Sequence, residues 1–207
     1  MRKYFVVFFI SVFVNGCATS IKSQQVALNS GTVCCAHVSE FKYRPINNDE
    51  YSKFELNEKS PIFSFGGEKS YFAAIKPTGE FTAITIKSYF NGMMVGLYYH
   101  PIIALLDSDF NVVREDVIEL GFTRPGLKEE DHMIGTIYYE NLDNVKYVIL
   151  YTKVFNDQNS QAHLPGSDTM FMVGNQVQFV SNAGRAIDLE RSSIGRVKLM
   201  LEKLKLH

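Results

Sequence analysis

Between residues 62 and 90 apolar and polar side chains alternate in short runs separated by turn residues. In residues 81–90, Thr82, Ile84, Ile86 and Ser88 share one face while Ala83, Thr85, Lys87 and Tyr89 take the other, the period of two that marks a strand with one face buried. Residues 62–65 and 70–75 read as two further strands, bounded by Gly66-Gly67 and by Lys76-Pro77-Thr78-Gly79, both strong turn signals. Later strands are predicted at 95–106, 117–122, 133–139 and 147–154, with Pro101 marking an edge or bulge. Short, evenly spaced strands rich in aromatic and β-branched residues predict an all-β chain, an antiparallel β-sandwich of jelly-roll-like kind. The end of the chain has two readings. Val197, Leu199 and Leu201 alternate as in a strand, whereas Ile194, Val197, Leu201 and Leu204 fall at helical spacing; the strand is the favoured one.

The N-terminus follows a different pattern. Arg2 and Lys3 precede an apolar run over residues 4–14, the n-region and h-region of a signal peptide. The run is too short for a bilayer core of roughly 30 Å, which needs about 20 apolar residues as a helix. It ends at Val14-Asn15-Gly16-Cys17, similar to a lipobox, although lipoboxes more often have Leu first and a small residue second. The expected organisation is a leader over residues 1–16, a polar tether over 17–30 carried on acylated Cys17, and one domain over 31–207. Resemblance to Gram-negative lipoproteins, with Ala18 rather than Asp after the cysteine, implies an outer-membrane location facing the periplasm.

Cleavage after Gly16 leaves 191 of the 207 residues, enough for one domain with a substantial core. Losing Arg2 and Lys3 leaves 19 basic against 22 acidic residues, a formal charge of −3, so no nucleic acid is expected as a partner. Besides Cys17 the chain holds Cys34 and Cys35. Adjacent cysteines do not easily satisfy ordinary disulfide geometry, and three states are open to them: buried small hydrophobes, a vicinal disulfide, or partners of another chain. Burial is the default expectation.

Several segments resemble the maltose operon periplasmic protein (MalM-like) family. They are residues 67–77 (GEKSYFAAIKP), 101–107 (PIIALLD), 147–152 (YVILYT) and the closing Gly195-Arg196-Val197-Lys198-Leu199; the Cys34-Cys35 pair also fits lipoprotein members. Residues 170–191 fit the pattern poorly. The resemblance implies an accessory binding or interaction protein of maltose and maltodextrin uptake, with no catalytic residues to carry over. The alternative is a structural lipoprotein that contacts an outer-membrane protein through a sheet edge and binds no sugar.

Motifs for catalysis or metal binding are weak. Asp107-x-Asp109-x-Asn111 copies the start of a calcium loop, but Val112 and Ile118 stand where its Gly and Glu belong, so a polar turn is expected. Glu129-Glu130-Asp131-His132 reads as a solvated loop. There is no Gly-x-Ser-x-Gly elbow, and His100, His132 and His163 have no local partner pattern. No catalytic residue, metal or cofactor is assigned. Because sugar rings stack on aromatic faces, Tyr71, Tyr98, Tyr99, Tyr138 and Tyr139 are the candidate binding residues. In each of the pairs Tyr71-Phe72, Tyr98-Tyr99 and Tyr138-Tyr139, strand alternation should send one ring inward and the other outward.

Overall fold

The computed structural model describes residues 20–91, 96–125, 129–153 and 159–203, apart from 165–166, 174–175 and 183–184; over 159–188 it describes the backbone alone. The leader and Cys17 lie outside the described residues. Two five-stranded sheets form the body. The first runs β1 (Arg44–Ile46), β5 (Ala73–Pro77), β12 (Tyr147–Tyr151), β8 (Ile102–Leu106), β9 (Val112–Val117). The second runs β10 (Gly121–Thr123), β11 (His132–Tyr138), β6 (Ala83–Tyr89), β17 (Gly195–Glu202), β2 (Ser52–Leu56).

The period-two pattern determines which side chains meet between the sheets. Ile84 and Ile86 from β6, with Val197, Leu199 and Leu201 from β17, enter one core with Ile103 and Leu105 from β8 and Val148 and Leu150 from β12. Each fully buried side chain of this size contributes about 1.5–3 kcal/mol over remaining exposed. The C-terminal segment is the closing strand β17, paired antiparallel with both β6 and β2, because the alternating burial of a strand serves its core-facing residues along its whole length.

The inner strands β12 and β8 of the first sheet are apolar on both faces, since their far side is covered as well. The hairpin β3 (Ile62–Phe65) and β4 (Glu68–Tyr71) turns at Gly66 and Gly67, both at positive φ, the backbone that glycine tolerates at no steric cost. With Phe41 it forms a second core against Phe72, Ile102, Leu106, Ile149 and Tyr151; Phe65 stacks on Tyr151 with centroids 3.9 Å apart. This explains why β8 is buried at every position, where a two-layer sandwich predicts alternation.

Three further differences from the predicted pattern have physical causes. Residues 70–75 divide at Phe72, because β4 belongs to the hairpin and β5 to the first sheet. Residues 95–106 divide at Pro101: β7 (Leu97–Tyr99) pairs in parallel with β16 (Arg185–Ser192), itself paired with β13 (Asn159–Leu164), while β8 joins another sheet. That pair and the parallel pairing of β1 with β5 depart from a wholly antiparallel arrangement. β14 (Ser167–Val173) and β15 (Gln176–Asn182) form a separate hairpin.

The segment expected as a loose tether contains the helix α1 (Ile21–Ser30). Ser20 caps it by accepting the Ser23 amide at 3.2 Å, and Leu28 is buried in the main core. Ser192 Oγ donates to Gln24 Oε1 at 2.8 Å. Lys69 Nζ donates to the Asn29 and Gly31 carbonyls at the other end; with Leu28 and Gln24 as its buried residues, the helix offers too little for a recognisable periodicity.

Candidate functional site

A cleft of about 810 Å³ opens along the edge strand β2, between it and the β1–β5 side of the first sheet. Its apolar wall includes Phe41, Phe54, Phe72 and Ala73, and its polar rim includes Lys42, Arg44, Lys53 and Glu55. Arg44 ties the rim together. Its Nη1 donates to the Lys53 carbonyl at 2.9 Å, and its guanidinium lies 5.0 Å from the Phe54 ring centre. Lys42, Lys53 and Lys59 line the cleft as well, and among the described residues no carboxylate forms an ion pair with them.

Cys34 and Cys35 also line this cleft, joined to each other in a vicinal disulfide. Cys34 is exposed and Cys35 half-buried, so the default expectation of burial is corrected. The bonded pair is held at the surface because the Cys34 amide donates to the Ile62 carbonyl at 2.8 Å, pinning this segment along β3.

A second cleft of about 370 Å³ shares Lys53, Phe54 and Glu55 with the first, so the two adjoin across β2 and together form its groove. Its floor is the outer face of the second sheet. There Lys53 stands opposite Lys198, and Lys198 opposite Lys87, a row of like charges that is unfavourable by itself. Glu129 compensates it, accepting from Lys87 Nζ at 2.7 Å, from Lys198 Nζ at 2.8 Å and from the Tyr89 hydroxyl. The Lys198 hydrogen bond, then those of Lys87 and Tyr89, hold the Glu129 carboxyl well below the usual carboxylate range. Burial, and then the bond to Glu129, push the Tyr89 hydroxyl up to about 12.

The neighbouring residues are likewise engaged. Glu130 pairs with Arg196 at 2.7 Å and Asp131 with Arg124 at 2.9 Å. His132 is buried with Nδ1 2.8 Å from the Glu130 carbonyl. Residues 129–132 are therefore an ion-paired clasp over the sheet, correcting the solvated loop expected from their composition. Periodicity could not reveal it, because the lysines sit on β6 and β17, far away in sequence.

Tyr138-Tyr139 follows the one-in, one-out expectation, and the other two pairs depart from it. Tyr71, Phe72, Tyr98 and Tyr99 are all buried, as is Tyr139; of the five candidates only Tyr138 is exposed, at 65%. Tyr71, Tyr99 and Tyr139 enter the main core and Tyr98 a smaller cluster with Phe90, Met133 and Leu189. Alternation fails at Tyr71-Phe72 and Tyr98-Tyr99 because packed layers cover both faces there. In this conformation the four buried rings present no face for stacking, and the structure does not bring the five together.

The Asp107 turn is self-contained. Its carboxylate accepts the Asp109 amide at 2.8 Å and the Asn111 amide at 2.9 Å, and these bonds, Asn111's foremost, lower its pKa. Phe110 adopts positive φ there. His100 is buried, its pKa lowered to about 4 first by burial and then by Arg191, while the side chain of His163 is not described. Among the described residues no group of three or more His, Cys, Asp or Glu is placed to hold a metal ion. No family model, curated protein or solved structure matches the chain.

Proposed function

We propose that this protein is a non-catalytic lipoprotein of the bacterial envelope, anchored through acylated Cys17 to the outer membrane and facing the periplasm. It works there as an accessory binding protein of carbohydrate uptake, with the groove across β2 as its ligand site. The observation that carries the proposal is the composition of that groove. Cationic and carboxylate groups that can donate to and accept from hydroxyls flank apolar side chains, the mixture that binding sites for small polar molecules use. The leader-like N-terminus and the resemblance to MalM-like proteins support the location and the ligand class. The vicinal disulfide suits an oxidising compartment.

Calorimetric titration of the mature protein with maltodextrins tests the ligand. Saturable heat that is lost in Arg44→Ala supports the proposal; no heat and no thermal shift at millimolar ligand rejects it in favour of a structural lipoprotein without sugar binding. The anchor is tested separately. Cys17→Ala should abolish labelling with a radioactive fatty acid and release the protein from membranes, and retained labelling refutes the assignment.

A further inference from the structure

Among the described residues the two large sheets end in four edge strands, β1, β9, β10 and β2. β1 and β10 are three residues long, β1 also holds Pro45, and β2 presents Lys53 and Glu55, usual defences against pairing with another chain. β9 carries charges too, Arg114, Glu115 and Asp116, but it is the longest of the four and sets them between exposed valines. It has six residues, pairs among the described residues on one side only, with β8, and leaves Val112, Val113 and Val117 at 57%, 53% and 50% exposure. Exposed apolar residues on an open sheet edge mark a surface built to be covered.

We propose that β9 pairs antiparallel with β9 of a second copy of this chain, about a two-fold axis at Glu115. An axis perpendicular to the sheet must pass through a residue position, because directly opposed residues of antiparallel strands share a face. Centring it on Glu115 places Val113 opposite Val117 of the second copy, and Arg114 opposite its Asp116. Within one chain Arg114 Nε already meets Asp116 Oδ2 at 2.7 Å, so the two copies build an alternating quartet of charges. The two Glu115 side chains face one another, and each is neutralised by its own Lys153 at 2.6 Å. Moving the axis to Arg114 instead opposes two guanidinium groups and sets Val113 against Glu115. The charge pattern therefore selects one register.

The ladder is short. A register shift at Leu105/Leu106 lies opposite Val113, leaving Arg114–Val117 as the regular stretch, so the dimer is weak and dissociates on dilution. Glu115 makes the distinguishing test, since it alone faces its own counterpart.

In oxidative cross-linking of the mature protein, Glu115→Cys should form a covalent dimer. Val117→Cys should not, because its two copies are separated by four residues, about 13 Å along the strand. Mixing Val113→Cys with Val117→Cys should restore the cross-link. Sedimentation should show the mass doubling with concentration, and Val117→Lys should return it to monomer with unchanged thermal unfolding. A monomer at every concentration, equal cross-linking of Glu115→Cys and Val117→Cys, or exclusive cross-linking in envelopes to a different protein each overturns the proposal.

Discussion

Replacing Glu129 by Gln keeps the shape of the side chain and removes the charge that holds the lysines of two neighbouring strands, Lys87 of β6 and Lys198 of β17, together. Each of its two ammonium bonds, at 2.7 and 2.8 Å, belongs to a class worth about 1.5–3 kcal/mol. Partial exposure reduces this: the side chains of Lys87, Lys198 and Glu129 are 16%, 27% and 22% accessible, and fully exposed pairs give only about 0–1 kcal/mol. The amide still accepts one hydrogen bond, while Lys87 and Lys198 are left directly opposed. The expected loss is about 1–3 kcal/mol at neutral pH, a fall in Tm of a few degrees to about 10 °C for a chain of this length.

The pH dependence has a definite sign. The folded pKa of Glu129 lies below the 4.5 of a free glutamate, so its contribution is fully present above that value and declines as pH falls toward the folded pKa. Urea unfolding of both proteins from pH 7 to pH 3 should show a gap that is full at pH 7 and narrows below about pH 4. Equal stability at pH 7, or a gap unchanged at pH 3, refutes the reasoning.

Gly135→Ala should destabilise more than a surface change, because its Cβ would lie 2.1 Å from the Glu119 carbonyl oxygen; strain of this kind costs about 1–3 kcal/mol, measurable by thermal unfolding. Tyr99→Phe should be neutral or stabilising in the same assay, since the Tyr99 hydroxyl is buried without a hydrogen-bond partner among the described residues and removing such a group restores no lost bond. Leu28→Ala should cost about 2–5 kcal/mol and raise amide exchange in α1, where Leu28 joins the main core. Helix exchange unchanged from the wild type would show that the helix does not depend on this contact.

Several features were legible from residue order alone because they depend on local rules. The alternation of Ile84, Ile86 and Ser88 with Thr85, Lys87 and Tyr89 is a property of one strand's pleat; Ile84 and Ile86 enter the main core accordingly, while Thr85 and Tyr89 on the other face are buried as well and only Lys87 is half-buried. The Gly66-Gly67 turn is likewise a backbone property of those residues, whereas Pro101, read as an edge or bulge within one strand, separates β7 from β8. β9 gave no such signal, because neither of its faces is buried and Val-Val-Arg-Glu-Asp-Val has no alternation to read.

The rest required the tertiary structure, since it concerns which distant elements share a face. Tyr71 and Tyr99 are core residues because layers cover both sides of the strands that carry them, a fact no single strand encodes. The groove across β2 draws its lining from within residues 34–61, 72–74, 129–130 and 196–198 and from Tyr89, and the charge row exists only once β2, β17 and β6 are side by side. Sequence by itself determined an all-β chain and an apolar N-terminal run that precedes Cys17. Long-range pairing decided where the cleft opens, how Glu129 is held, and that β9 is an edge strand among the described residues, because sheet order is set by the summed burial of both sheets and not by any local pattern.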